Sequence, residues 1–308
     1  MGIGRTFFLW ASRNASLRER LPRYQFVQKS VSRFMPGVTS EDALKAAEDL
    51  RPLNISTVLT HLGENVTTEM ETFEVKNHYL ELLHKIGERG LDAHISVKLT
   101  ELGLDQSTDL CYQNLKELCF VASQRDNFLW IDMEGSKYTT VTLDLYAKIH
   151  NEFQNTGVCV QSYLYRTAQD LEKLFPIQPA IRLVKGAYAE PPEIAFAEKS
   201  ENDENYFKLA QSLLLRVREK QVRIGLGTHD QKLIGRILEL ANTMNVPRDS
   251  FEIQMLYGIR RKDQLRLAKD GCKLRVLISY GSYWFPWYMR RLAERPANVL
   301  FAMKNIFG

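Results

Sequence analysis

The chain has 308 residues, 44% hydrophobic and 25% charged, an ordinary globular balance that fits one large α/β domain or two smaller ones. A formal net charge of +4 and a pI near 8.7, with basic residues scattered and not gathered in tracts, argue against a nucleic-acid partner. Four cysteines without a CxxC pair read as reduced residues of an intracellular protein, not a disulfide frame or metal site, and no apolar run approaches a membrane span.

Residues 1–38 read as a basic, aromatic-spotted N-terminal helical extension. The run Phe7 to Ala11 is too short for a secretory signal core. Its aromatics suit a membrane surface or packing on the domain, and packing is the preferred reading. A helix starts after Thr39-Ser40, with Ser40 as its cap and Ala43, Leu44, Ala47 and Leu50 at helical spacing.

From residue 39 to 308 short β-rich runs alternate with helical stretches. The runs are Ile55–Thr60, His94–Leu99, Phe128–Met133, Val158–Tyr163, Ala180–Val184, Val222–Gly227, Phe251–Leu256 and Leu274–Ser279. Helical patterns lie between them at Glu71–Arg89, Asp109–Gln124, Val141–Phe153, Asn205–Lys220 and Gln231–Met244. About eight β-runs, each followed by a helix, predict a distorted (β/α)8 TIM-type barrel. A doubly wound sheet is the alternative. It usually carries a Gly-rich first turn, and the turn here reads HLGENV.

Barrel chemistry sits at the C-terminal strand ends. Those ends carry His61 and Glu64, Lys98, Asp132 and Glu134, Gln161 and Tyr163, Arg182, Lys185 and Tyr188, Thr228, His229 and Asp230, Tyr257, and Tyr280. Asp132 stands in an apolar run, where a carboxylate must be paired or hydrogen-bonded. Arg182 and Lys185 need an anionic partner: a salt bridge to Asp132 or Glu134, or a bound phosphate or electron-rich ring. The histidines lack metal-ligand spacing, and no nucleophile elbow is present. A lysine Schiff-base lyase using Lys98 or Lys185 is the chemical rival.

The last helix, Tyr283–Arg295, reads YWFPWYMRRLAER. Arg290 and Arg291 beside large aromatics, with Glu294 one turn on, suit a small, partly apolar acid.

The ordered motifs SVKLTELGLD, WIDMEGS, VQSYLYRT, IRLVKGAY, GTHD, MLYGIR and RRLAERPAN resemble the monofunctional bacterial proline dehydrogenases from about residue 38 onward. The resemblance implies non-covalent FAD held without a Rossmann fingerprint. It also implies oxidation of L-proline to Δ1-pyrroline-5-carboxylate and electron transfer to a membrane quinone. Quinone use would bring an otherwise cytoplasmic protein to the inner face of the cell membrane at its periphery. By resemblance, Arg182 lies near the reactive flavin nitrogen and Gln161 at the isoalloxazine edge. Met133, the turn Lys185-Gly186-Ala187, Thr228 and His229 also meet FAD. Lys98, Arg290 and Arg291 bind the proline carboxylate, while Tyr188, Leu256 and Tyr257 wall the ring. Asp132 and Tyr280 support the site together, and Glu64 pairs with Arg290 as a gate. Trp287 stands where the family usually has tyrosine, which predicts a pocket narrowed against hydroxyproline. An excess of cations is expected to lower the bound amine's pKa.

Overall fold

Thr39, and not Ser40, caps the first helix: its hydroxyl accepts from the Asp42 N–H (3.1 Å) while the Asp42 carboxylate reaches back to the Thr39 N–H (2.9 Å). The computed structural model describes residues 31–63, 66–219 and 221–293, with Phe8, Trp10, Ala11, Asn14, Leu17, Arg20 and Val27 from the earlier chain. Glu64 and Glu294 therefore lie outside the described residues, and with them the expected ion pairs of Arg290.

After α1 (Ser40–Leu50) the elements alternate: β1 (Ile55–His61), α2 (Glu69–Glu88), β2 (Ala93–Val97), α3 (Thr108–Ser123), β3 (Leu129–Ile131), α4 (Thr139–Glu152), β4 (Thr156–Gln161), α5 (Thr167–Leu174), β5 (Ala180–Val184), α6 (Lys199–Arg218), β6 (Arg223–Gly227), α7 (Gln231–Thr243), β7 (Glu252–Leu256), α8 (Arg261–Lys269), β8 (Lys273–Tyr280) and α9 (Trp284–Ala293). The eight strands are parallel and form a closed barrel, with β1 sealing onto β8 from Ile55 opposite Leu274 to His61 opposite Tyr280. Closure rules out the doubly wound alternative. The short helices α5 and α8 carry too few apolar positions to stand out as sequence periods, and α6 begins earlier than its apolar pattern.

Strand alternation divides the apolar residues into two sets. The outward set, such as Leu59, Ile95, Val97, Ile131, Val158, Ile181, Ile224, Ile253 and Val276, packs under the helices in one continuous core with Tyr79, Leu83, Leu115, Tyr146 and Leu213. Full burial of each large aliphatic side chain contributes roughly 1.5–3 kcal/mol, so this layer is the main stabilising term. The inward set has a small apolar centre of Val58, Phe128, Trp130 and Ala180, with Leu277 packed against it. Gly157 is glycine because a Cβ there would meet the Trp130 ring at 2.5 Å.

A second apolar cluster holds α9. Ala11, Val27, Val31 and Met35 of the extension pack with Leu62 and with Trp284, Phe285, Trp287, Tyr288, Met289 and Leu292. The Arg33 carbonyl crosses directly over Gly258, which has φ +72° and no room for a Cβ. Most of the extension's described apolar residues thus pack on the domain, while Trp10 and Val38 remain 55% and 50% exposed.

Candidate active site

Two-residue strand periodicity sends Ser96, Lys98, Asp132, Gln161 and Arg182 toward the C-terminal mouth of the barrel. Arg182 is 3% exposed. Its Nη1 donates to Asp132 Oδ1 (2.9 Å) and Ser96 Oγ (2.9 Å), and Ser96 Oγ donates to the same Asp132 oxygen (2.8 Å). The guanidinium lies 4.6 Å from the Trp130 ring centre, a favourable cation–π position. Its Nε and Nη2, and the Oε1 of the neighbouring buried Gln161, meet no partner among the described residues. Such groups carry a desolvation cost of about 1–3 kcal/mol each unless something binds them.

Lys185 does not join this pair. Its Nζ reaches Asp203 on α6 (2.5 Å) and Asp230 at the start of α7 (3.2 Å), where Lys199 also pairs with both carboxylates. Asp230 caps α7, and although burial opposes its charge, Lys185 and the α7 N–H groups hold its carboxyl well below the usual range. Thr228 Oγ1 accepts from the Asp230 N–H (3.2 Å), and His229 Nε2 accepts from the Leu256 N–H (3.3 Å). Gly186 has φ +108°, and a Cβ would strike the Tyr163 ring at 2.3 Å, so the Lys185-Gly186-Ala187 turn passes tightly over that ring. Met133 is buried beside Asp132, and Leu256 is half-buried at the end of β7.

A cleft of about 600 Å³ opens next to this cluster, with Lys98, Glu101, Glu134, Tyr188, Trp287 and Arg290 in its wall. The Arg290 guanidinium lies 5.9 Å from the Tyr188 ring centre, and that of Arg291 lies 5.9 Å from the Trp287 ring centre. Lys98 Nζ contacts Glu101 Oε1 at 2.7 Å. Burial opposes the Lys98 charge, but Glu101, Asp132 and Glu134 outweigh it and hold the ammonium above the usual lysine range. A lysine held protonated is a poor nucleophile, which counts against the Schiff-base reading of Lys98. Glu134 receives the Thr100 N–H (3.2 Å) and hydroxyl (2.7 Å), and burial pushes its carboxyl up.

Two expectations are corrected. Tyr280 does not work with Asp132. On β8 the inward residues are Arg275, Leu277 and Ser279, so Tyr280 faces outward, is fully buried, and its hydroxyl pairs with His78 Nε2 on α2 (2.7 Å). His61, also outward, stacks on His78 at 4.5 Å, and burial with His78 and Lys98 nearby lowers its pKa to about 4. Nor are cations in excess. Lys98 and Arg182 each hold a carboxylate, and the cleft wall carries Glu101, Asp105 and Glu134 against Lys98 and Arg290. Sequence reading passed over Ser96 and Glu101. The spacing of Glu101 three residues after Lys98 was a signal, since the turn Thr100–Leu102 brings the two together.

A closed parallel barrel that gathers buried charge, unmet polar groups and a cleft at the C-terminal mouth defines a (β/α)8-barrel enzyme. The family model described as proline dehydrogenase matches residues 43–304, and the chain belongs to that family. It is 37% identical to proline dehydrogenase 1 of Bacillus subtilis subsp. natto over 98% of both chains. It is 32% identical to proline dehydrogenase of Deinococcus radiodurans over 94% of this chain and 93% of that one. Among solved structures, proline utilization A of Bdellovibrio bacteriovorus inactivated by N-propargylglycine shares the fold, with a TM-score of 0.82 at 22% identity, covering 94% of this chain and 36% of that one.

Proposed function

We propose that the protein oxidises L-proline to Δ1-pyrroline-5-carboxylate with non-covalently held FAD, and that the electrons pass on to a membrane quinone. The observation that carries this reading is Arg182: a buried guanidinium with Nε and Nη2 unmet beside the unmet Gln161 carbonyl oxygen. An electron-rich ring with acceptor and donor edges would satisfy both. The flavin, when bound, supplies the hydride-accepting chemistry.

The chain's own residues do the rest. Arg182, oriented by Asp132 and Ser96, offers fixed positive charge where negative charge develops. Gln161, Met133, the Lys185-Gly186-Ala187 turn, Thr228 and His229 hold the cofactor. Arg290, Arg291 and Lys98 grip the substrate carboxylate, and one bidentate arginine also fixes its angle. Tyr188, Leu256 and Trp287 wall the ring, so that donor and acceptor meet in a productive orientation. Burial raises the Tyr188 phenol, so it presents a neutral ring edge.

Residues 1–38 act in this reading as an extension that steadies α9, and residues 39–308 as the catalytic barrel. The packing of Val27, Val31 and Met35 on α9 supports that division. No helix among the described residues is long and apolar enough to cross a membrane. Reaching a membrane quinone therefore calls for surface contact, for which the exposed Trp10 is a candidate.

Spectroscopy of the purified protein tests the proposal. A flavin absorbance that bleaches on anaerobic addition of L-proline and recovers with a soluble quinone is expected. Colourless protein, or a flavin that proline leaves oxidised, overturns it.

A further inference from the structure

The ammonium of Lys98 already has an anion. Glu101 Oε1 lies 2.7 Å from Nζ, and the Glu101 side chain is only 9% exposed. The other Glu101 oxygen, Oε2, is buried without a hydrogen-bond partner among the described residues. The contact follows from local structure: Lys98 comes directly after β2, and the single turn Thr100–Leu102 returns Glu101 over it. Both residues line the same cleft as Arg290.

We infer that Glu101 is a positioning and affinity-setting residue. It occupies Lys98 in the empty site as an internal stand-in for the substrate carboxylate, and it yields part of that ammonium when substrate binds. This rests on the reading of the cleft as an amino-acid site. The physical reason is competition. A buried carboxylate at hydrogen-bond distance uses one of the ammonium's three N–H donors and offsets much of its charge. An incoming carboxylate must share Lys98 with it, so part of the intrinsic attraction is spent displacing an existing contact. Arg290 and Arg291 then carry the larger share of the grip. Glu101 also keeps Lys98 folded back on its own loop, where Nζ points toward the His61 carbonyl (3.4 Å).

Release of Lys98 has a proton consequence. The groups facing Glu101 are Lys98 on its own loop, Asp132 and Glu134 after β3, Tyr79 on α2, Tyr280 on β8 and the Gly63 backbone. Lys98 is the cation among them. Burial already pushes the Glu101 carboxyl up against the pull of Lys98. Sharing Lys98 with a ligand weakens that pull, so Glu101 takes up a proton from solvent as the ligand carboxylate arrives.

The test uses the holoenzyme and tetrahydrofuran-2-carboxylate, the ring-oxygen analogue of proline, which has the carboxylate and no amine. Calorimetry is run in buffers of different ionisation enthalpy, which gives both Kd and the number of protons exchanged. Glu101→Gln keeps the shape and an acceptor but removes the competing charge. It should bind the analogue more tightly than wild type, on the order of tenfold at neutral pH, and lose the proton uptake. A residue with a purely structural role would weaken binding when replaced. Equal or weaker binding by Glu101→Gln overturns the inference. If that variant melts early, wild type alone decides, and proton uptake near zero overturns it. No analogue binding to wild type would instead sink the amino-acid site itself.

Discussion

The two ends of the barrel interior use the same chemistry to opposite ends. At the N-terminal end Glu252 accepts from Arg275 Nε (3.0 Å), Arg223 Nη2 (2.9 Å) and Gln254 Nε2 (2.8 Å), so both of its oxygens are engaged. Arg275 Nη1 also reaches Asp92 (3.0 Å) and the Thr57 carbonyl (3.0 Å). The Trp130 indole N–H donates to His94 Nδ1 (3.2 Å). Because indole can only donate, His94 Nδ1 accepts and the ring is neutral, in keeping with the strong lowering of its pKa by burial and by Arg275, while Arg223 Nη2 lies 3.5 Å from its Nε2. At the C-terminal end the arginine–carboxylate pair recurs as Arg182 and Asp132, but Arg182 keeps its Nε and Nη2 unmet among the described residues. A network that meets both oxygens of its carboxylate is a plug. One left open on the side of a cleft is a site. Trp130 joins the two, stacked under Arg182 and bonded to His94.

Breaking the plug should cost the most stability. Glu252→Ala leaves the buried Arg275 to the exposed Asp92 and takes from Arg223 its Glu252 partner, and it should lower unfolding free energy by about 3–5 kcal/mol in denaturant titration. Adding Arg275→Met should recover part of that loss, since it removes the stranded buried charge. If Glu252→Ala unfolds at the wild-type midpoint, the plug is not structural.

The open end should respond in rate instead. Arg182→Lys keeps a charge but loses the planar fork, and kcat/KM should fall about 10²–10³-fold with little change in Tm. Parallel kinetics and calorimetry check this. A Tm drop as large as that of Glu252→Ala would erase the contrast between the ends.

Acid separates the ends further. The lowered pKa of His61, about 4 against an ordinary 6.5, means the unfolded chain binds the proton first. Its contribution to stability is complete above pH 6.5 and is lost as pH falls toward about 4, a loss of about 2 kcal/mol after allowance for its partial exposure. His94 in the plug and His78 beside His61 add losses of the same sign, so His61→Phe isolates the share of this rim histidine and should flatten the fall of Tm with pH. Glu252, held below its ordinary 4.5 by Arg275 against the cost of burial, gives way only in stronger acid. An unchanged Tm profile for His61→Phe would show that the rim histidine does not titrate with unfolding.

The smallest effect belongs to the wall of the cleft. Trp287→Tyr shortens a ring that is 8% exposed and faces both Arg291 and the extension. The hydroxyproline-to-proline rate ratio should rise by about tenfold. A ratio that does not move would mean Trp287 packs α9 and does not limit substrate size.

Much of this was legible in residue order. Alternating β-runs and helices specify the barrel, because each strand must bury one face under a helix. Polar residues at the C-terminal strand ends mark the mouth, which is why the positions of Lys98, Asp132, Gln161 and Arg182 there were legible from sequence. Strand parity corrected Tyr280: a residue one step from Ser279 points to the other side of the sheet, and which parity faces inward is set only when β1 and β8 close. The plug went unseen because His94, Arg223, Glu252 and Arg275 look like isolated polar residues in apolar runs. They become one network only where the strands converge.

By itself, then, the sequence determined the barrel, its family and which positions lie at its mouth, since periodicity and residue type are local properties. Partner choice across strands was decided by tertiary structure. Lys185 turned to Asp203 and Asp230, and Arg182 to Asp132 with its Nε and Nη2 left over, whereas Lys98 met Glu101 through one local turn. The reason is physical: an ionic side chain takes the nearest carboxylate it can reach on being buried, and only closure of the barrel sets those distances.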